Sequence, residues 1–315
     1  MGRFQFAVRK LLYGVPLIVG VTLISFLLMV YFGPDKTYTL IGKNPTVEQI
    51  ANVRHQLGYD RSFLSRYVEY VIQTLTFDFG HSDSSGEKVM SLLRKTVPVS
   101  LALAAPGFIL GNLTAIALAL WAAYHRGRWL DRVIMAFSVV GMSISYVMVI
   151  IGFQFIFCSS FGLDLFPVTG WEASDFGSYL HYVTVPTLCI EFVALGYNTR
   201  FYRAVFVEEL TRDHVRTARA FGIGPVKLLF KNVLKNSLIP VLSRTIATLP
   251  YIVIGGNLLI ESYFAIPGVG FITYGAITTG DLPVLKAVVS LTAILYVICL
   301  TLTDVVYQIV DPRVG

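Results

Sequence analysis

Long uncharged segments alternate with shorter polar connections along this chain, and their lengths predict helices that cross a membrane. A helix that crosses about 30 Å of hydrocarbon needs roughly 20 predominantly apolar residues. Six segments meet this condition, and they cover residues 11–34, 96–124, 133–163, 176–199, 239–260 and 287–309. The basic start of the chain resembles a signal peptide, but the apolar run is too long and lacks a cleavage site of small residues. We therefore expect the first segment to remain as a helix.

Composition narrows the class to an all-α integral membrane protein. The 315 residues are 55% hydrophobic and 14% charged, and their mean hydropathy is +0.68. A soluble domain carries about 25% charged residues. The net charge of +6 does not indicate a nucleic-acid partner, because lysine and arginine cluster at the ends of the apolar segments, as a topology signal does. Three cysteines, Cys158, Cys189 and Cys299, lack the spacing of a metal site or a disulfide framework.

The distribution of basic residues predicts the orientation of the helices. Short connections that are rich in lysine and arginine stay on the cytosolic side. The N-terminal residues, the connection 125–132 and the connection 200–240 are basic, whereas the third and fifth connections contain no lysine or arginine. The first connection, 35–95, has mixed charge but is long enough to be translocated. We expect both termini to be cytosolic.

The long outer connection contains apolar residues at three- and four-residue spacing. This spacing predicts two amphipathic helices between residues 47 and 75, joined around Gly58. Their apolar faces need a partner surface, and the candidates are the lipid bilayer, the outer ends of the other helices and an extracytoplasmic protein. A packed cap with no binding role is an equal alternative.

The basic cytosolic insert, residues 208–240, predicts a helix, a turn and a second helix. One helical side carries Val207, Leu210, His214, Thr217, Ala218 and Phe221. Gly222 and Gly224 then break the pattern, and Pro225 is suited to open the second helix. Small residues at 218, 220 and 222 would let a partner groove approach the backbone. The alternative is an amphipathic loop packed on its own bundle.

Polar residues inside the predicted spans are candidates for a transport path, because an ionised group at the centre of a membrane helix costs roughly 2.5–3.5 kcal/mol on insertion scales. Glu191 lies deepest, while Asn198, Arg244 and Glu261 lie nearer the ends of their segments. A structural hydrogen bond or ion pair explains Glu191 equally well. Pro186 and the two consecutive glycines at positions 255 and 256 are candidate pivots, although glycine also permits close helix packing.

Several strings, in one order over almost the whole chain, carry a resemblance to a known family. VRTARAFGIGPVKLLFKNVLKNSLIP resembles the cytoplasmic coupling segment of ABC-transporter permeases, specifically those of the dipeptide, oligopeptide and nickel import family. Residues 216–218 stand in place of its Glu-Ala-Ala signature and Gly222 in place of its glycine. FDFGHS, HRGRWLDR, LFPVTGW and ESYFAIPGVG resemble further signatures of the family. One departure is the absence of proline between Ser143 and Tyr146, which predicts a straighter third helix.

The resemblance implies the type I ABC importer permease fold, with an N-terminal unit, 1–95, and a five-helix core, 96–315. It implies a second, paralogous permease subunit, two cytosolic ABC ATPases that bind ATP and Mg, and an extracytoplasmic substrate-binding protein in a bacterial inner membrane. This chain is then expected to have no catalytic residue and no cofactor of its own. Two groups of residues follow as candidates: Arg212, Arg216, Thr217, Ala218, Arg219, Phe221 and Gly222 for ATPase coupling, and Glu191, Asn198 and Glu261 for the path.

The cargo stays open at this point, with peptides ahead of nickel, haem or glutathione. Two alternatives from other classes also stay open. An ion-coupled secondary transporter would need charged relays in the middle of the membrane and often an inverted repeat. A membrane scaffold would need no path at all.

Overall fold

Helices form every regular element in the part of the chain that the structure describes. This structure is a computed structural model, and it describes residues 3–31, 33, 37, 46–56, 60–250 and 258–310. In chain order the helices are α1 (Arg3–Tyr31), α2 (Val47–Gln56), α3 (Phe63–Leu75), α4 (Val89–Tyr124), α5 (Trp129–Ser143), α6 (Tyr146–Cys158), α7 (Phe176–Leu210), α8 (Asp213–Ala220), α9 (Pro225–Lys227), a π-helix (Leu228–Leu234), α10 (Leu238–Pro250), α11 (Leu258–Tyr263), α12 (Val269–Thr279) and α13 (Leu282–Val310).

The expected membrane segments coincide with helices, although only some of these helices are long enough to span a bilayer alone. α4, α7 and α13 up to Val306 meet both the length and the hydropathy condition, and the bent pair of α5 and α6 makes a fourth span if it is counted as one. The first and fifth predicted segments correspond to shorter apolar helices, Gly14–Val30 within α1 and Leu238–Leu249 within α10. The glycine pair 255–256 lies outside the described residues. Six spans therefore stay a prediction.

The third predicted segment is broken, so the expectation of a straighter helix is wrong. α5 and α6 meet at an angle of 103°. Ile144 and Ser145, between them, have extended backbones with ψ of 133° and 136°. Tertiary packing accompanies this break without any proline: α5 approaches α7 where Gly141 meets Gly196, whereas α6 buries Val149 and Ile150 in a separate part of the core. The absence of proline removes one cause of a bend, but packing supplies another.

Two long helices, α4 and α7, pack against each other over the greatest length and form the centre of the molecule. α5 and α6 lie on α7, while α1 and α10 lie on α13. α7 continues through the candidate pivot Pro186 without a break. At one crossing an added Cβ on Gly196 would lie 2.9 Å from the Ser138 carbonyl oxygen, so glycine permits the close approach of α5 to α7.

The two amphipathic helices of the outer connection are confirmed as α2 and α3, and Gly58 lies outside the described residues. α3 attaches to the bundle through its more polar side. The Tyr70 ring packs on Phe26, its hydroxyl donates to Ser25 Oγ at 3.0 Å, and Lys286 Nζ of α13 lies 4.1 Å from the ring centroid. The apolar ridge of α3 faces outward instead; its exposed members are Leu64, Val68, Ile72 and Leu75.

Candidate coupling segment and path residues

The candidate coupling segment begins with a short helix, α8, that packs against one end of the helical bundle. α7 ends at Leu210, and α8 begins two residues beyond Thr211, so the chain turns sharply. Val215 and Ala218 are the buried residues of α8. They join a core with Tyr202 and Phe206 of α7 and with alanines of α4. α8 is therefore fixed to the two central helices through its apolar side.

The buried position of Ala218 changes the interpretation of the small residues. The sequence pattern grouped Ala218 with His214, Thr217 and Phe221 on one helical side. In the structure Ala218 is only 6% exposed and faces its own bundle, whereas Phe221 is 82% exposed. The small side chain at 218 thus serves contact within this chain, and the surface open to another protein lies on the opposite side of α8.

Gly222 ends α8 because of its backbone conformation. Its φ is 72°, in the left-handed region that favours glycine. The amide of Ile223 donates to the Ala218 carbonyl at 3.2 Å, and the amide of Gly222 donates to the Arg219 carbonyl at 2.9 Å. These two bonds form a Schellman motif, which satisfies carbonyl groups that the helix end leaves free. The glycine shapes the turn that presents Phe221.

A second helix follows the turn, as Pro225 predicts. It begins as α9 and continues directly as the π-helix Leu228–Leu234. Leu228 and Val233 are buried in the same core as Val215. Val226 and Phe230 are 70% and 60% exposed, so they lie on the surface of the segment as Phe221 does. The periodicity in the sequence did not distinguish this π-helix from an α-helix.

The arginines of the segment form ion pairs of different strength. Arg212 Nε lies 3.0 Å from a buried carboxylate oxygen of Glu209, and its Nη2 lies 3.6 Å from exposed Glu208. Arg216 lies 3.6 Å from Asp213. Within the described residues Arg219 has no carboxylate at salt-bridge distance. Arg219 therefore keeps its charge available at the surface.

Glu191, the deepest candidate path residue, lies between the two central helices. Its Oε1 accepts a hydrogen bond from Thr114 Oγ1 of α4 at 3.1 Å, and its side chain passes beside Gly111. Glu191 is half-buried, so this bond leaves part of the carboxylate accessible. Asn198, about two turns further along α7, is 7% exposed and is thus much less accessible. The structure does not bring these two residues and Glu261 together in one open cavity.

Glu261, in contrast, is completely buried and caps a helix. Its Oε1 accepts from Ser100 Oγ at 2.6 Å and its Oε2 from the Phe271 amide at 3.1 Å, while Ser100 Oγ accepts from the Val269 amide at 2.7 Å. A carboxylate at the N-terminus of α12 satisfies free amides and interacts favourably with the helix dipole. Gly268 leaves the space for it. The Glu261–Gly270 signature is thus a self-capping loop.

A second carboxylate fastens the outer loop to the start of α13. Asp281 is 1% exposed, and its Oδ2 accepts from Ser82 Oγ at 2.5 Å and from Ser84 Oγ at 2.8 Å. Burial alone would raise the pKa of the Asp281 carboxyl, but the hydrogen bonds from both serines outweigh burial and hold that pKa below its ordinary value. FDFGHS is thereby tied to the last helix, almost 200 residues away.

The basic turn after α4 contains a two-pronged ion pair. Arg203 of α7 donates from Nε to Asp131 Oδ1 at 2.5 Å and from Nη2 to Oδ2 at 2.7 Å. Asp131 is 4% exposed and also accepts from the Gly127 amide at 2.8 Å. This geometry is the strong form of an arginine–carboxylate contact. It fixes α5 to α7 just above the coupling segment.

A buried polar network joins α4, α7 and α10, and the spacing of residues along the sequence does not indicate it. Tyr202 donates its hydroxyl proton to Asn112 Oδ1 at 2.8 Å, and Thr245 Oγ1 lies 3.1 Å from the same hydroxyl oxygen. Asn112 also donates from Nδ2 to the Phe108 carbonyl at 2.8 Å. Uncharged polar residues in apolar segments are the signal that could have found it. The described residues contain no cluster of side chains suited to a metal ion.

Comparison with known proteins places these features in a family. The model of the binding-protein-dependent transport system inner membrane component matches residues 115–315, and the model of the N-terminal part of such membrane components matches residues 3–104. A Lactococcus lactis protein named dipeptide transport system permease protein DppB is 31% identical over 85% of this chain and 86% of its own length.

Two further relatives match almost end to end. A Bacillus subtilis dipeptide transport system permease protein, also DppB, is 30% identical over 94% of this chain and 93% of its own length. A Sinorhizobium fredii protein named probable peptide ABC transporter permease protein y4tP is 28% identical over 98% of both chains. The family models together cover nearly the whole sequence, which leaves a secondary transporter or a scaffold without support. The chain belongs to the family of inner-membrane components of binding-protein-dependent transport systems.

Proposed function

We propose that this chain is the membrane-spanning permease subunit of an ATP-driven importer, and that the coupling segment connects it to cytosolic ATPases. One observation carries the proposal: α8 is fixed to the central helices on one side and exposes Phe221, at 82%, on the other. A large apolar side chain at such exposure is suited to a pocket in another protein. Arg216 and Arg219 surround it with positive charge.

Two ATPase subunits that bind ATP and Mg, a paralogous second permease subunit and an extracytoplasmic binding protein complete the proposed complex. Closure of the ATPases would move each coupling segment as a rigid body and change the side to which the path opens. With both termini cytosolic, the outer loops face the binding protein. The outward ridge of α3, represented by Leu64 and Ile72, supports contact of that helix with lipid or with a protein outside the chain.

Peptide is the proposed cargo, since the relatives that match over most of their length are named for dipeptides or peptides. Glu191 is the proposed path residue of this chain. Its carboxylate is held by a single side-chain hydrogen bond from Thr114 and stays partly accessible. Asn198 contributes less in this proposal because it is buried. Glu261 is assigned a structural role instead of a path role, because its oxygens already receive donors from α4 and α12.

Copurification from native membranes tests the proposal. We expect wild-type protein, extracted in mild detergent, to bring down a second permease and ATPase subunits whose hydrolysis a binding protein stimulates. Phe221→Glu should abolish recovery of the ATPases, since it places a carboxylate where an apolar contact is proposed. Phe161→Glu is the matched control, because Phe161 is 88% exposed in the connection between α6 and α7 and should leave recovery unchanged. ATPase recovery with Phe221→Glu at the wild-type level contradicts the assignment.

A further inference from the structure

The last turn of α7 contains a carboxylate with an unusual position. Glu209 is 4% exposed, although it lies at the cytosolic edge, where a glutamate can easily remain in water. Its neighbour Glu208 follows that ordinary pattern, with a side chain that is 75% exposed. A buried carboxylate needs charged or hydrogen-bonding partners. Both partners of Glu209 come from the coupling segment itself.

The two oxygens of Glu209 contact two different residues on either side of the turn. Oε2 lies 3.0 Å from Arg212 Nε, and Oε1 lies 3.1 Å from His214 Nε2. Oε1 is buried and has no hydrogen bond of good geometry within the described residues, so its contact with His214 is a short polar contact between groups that can form an ion pair. The carboxylate of Glu209 therefore holds both Arg212, which precedes α8, and His214, which lies in the first turn of α8. These contacts determine the direction in which α8 leaves α7.

The His214 ring extends this arrangement to the second helix of the segment. Its Nε2 also lies 3.4 Å from the Asn232 carbonyl oxygen and 2.9 Å from the side-chain amide of Asn236. The Asn236 Nδ2 that faces the ring also donates to the Asn232 carbonyl at 2.9 Å. The imidazole connects α7, α8 and the end of the π-helix.

We propose that Glu209 is a positioning residue for coupling: it holds Arg212 and His214 so that α8 and the π-helix move with α7 as one body. This proposal rests on the proposed function. The apolar contacts of Val215 and Ala218 hold α8 close to the bundle, but apolar packing is not directional. The contacts of the Glu209 carboxylate instead join it to two particular atoms, Arg212 Nε and His214 Nε2, and so restrict the angle between α7 and α8. Without them an ATPase can still dock and hydrolyse ATP, but the movement is not passed on fully to α7.

The test uses the full complex of permeases, ATPases and binding protein in proteoliposomes, and it measures solute transported per ATP hydrolysed. Glu209→Gln should reduce this ratio about tenfold, because an uncharged amide no longer attracts the Arg212 guanidinium and leaves it without its buried carboxylate. ATPase recovery and the binding-protein concentration that gives half-maximal hydrolysis should stay at wild-type values. Glu208→Gln is the matched control and should keep the wild-type ratio, because its contact with Arg212 is 3.6 Å long and exposed. An unchanged ratio with Glu209→Gln overturns the proposal.

A second pair of variants tests the same contact by changing His214 instead of Glu209. The His214 side chain is 41% exposed, so its replacement leaves the core intact. His214→Gln keeps an N–H donor at similar reach and should retain most of the coupling ratio, whereas His214→Leu should lower it. Equal ratios for the two variants overturn the proposal, even where Glu209→Gln fails to assemble. Absence of ATPases from the wild-type complex instead refutes the proposed function.

Discussion

Gly268→Ala should destabilise the protein because the added methyl group displaces a buried carboxylate. A Cβ at this position would lie 2.5 Å from Glu261 Cδ and 2.5 Å from Ser100 Oγ, and it would also meet Glu261 Oε2. The φ of Gly268 is −101°, which any residue adopts, so only the side-chain space opposes alanine. Overpacking costs about 1–3 kcal/mol, and loss of one hydrogen bond to a charged group costs about 1.5–3 kcal/mol more. We expect a loss of about 3–6 kcal/mol.

A thiol-reactive fluorogenic dye measures this loss during heating, since Cys158, Cys189 and Cys299 are all at most 5% exposed and react only after unfolding. At roughly 2 °C per kcal/mol, the midpoint should fall by about 6 °C or more. Gly275→Ala, in the same helix α12, is the control, because its Cβ meets nothing within 4 Å. That change should leave the midpoint equal or slightly higher, as alanine favours a helix interior over glycine. Equal midpoints for Gly268→Ala and wild type would refute the capping role of Glu261.

Three further changes test other contacts. Asp281→Asn should lower the melting midpoint at pH 7 by the equivalent of about 1–3 kcal/mol, because both serines donate to the same oxygen, Oδ2, and an uncharged amide oxygen accepts these bonds more weakly than a carboxylate. The pKa of the Asp281 carboxyl is lower in the folded protein than in the unfolded chain. The carboxylate therefore stabilises the fold at pH values above its ordinary pKa, and this stabilisation is lost as the pH falls through the lowered pKa. Acid melting curves of variant and wild type should therefore converge, and a constant gap contradicts this sign. Arg203→Lys should lower the midpoint through loss of the two-pronged contact with Asp131, whereas exposed Arg216→Lys should not. Glu191→Gln should leave ATPase recovery intact but reduce transport in proteoliposomes, and wild-type transport would remove Glu191 from the path.

Features that depend on local pattern could be predicted from the sequence. The apolar segments located the long helices, and the three- and four-residue spacing located α2 and α3. Gly222 and Pro225 predicted the turn and the second helix of the coupling segment, because glycine and proline act through their own backbones. These signals reach only a few residues along the chain.

Features that depend on distant contacts were missed or assigned differently. Glu261 was a candidate path residue, because nothing near it in sequence indicates that Ser100, in another helix, donates to it. The bend at Ser145 follows from packing on α7 and α11, which a search for proline cannot detect. Ala218 was placed on the partner side since helical periodicity alone does not say which face is covered. In each case the decisive atom belongs to another element.

In the proposed complex, the polar contacts along α7 would determine how a movement of the ATPases reaches the path. α7 is one continuous helix from Phe176 to Leu210, and it carries Glu209 in its last turn and Glu191 near its centre. α4 packs along it over the greatest length, so these two helices have to move together. α5 is attached separately, through Arg203 and the close glycine contact at Gly196. α6 diverges from α5 by 103°, and both helices contact α7. In the proposed complex the unbroken helix would transmit the movement, and the bent pair beside it would be the element suited to convert that movement into a change of the path.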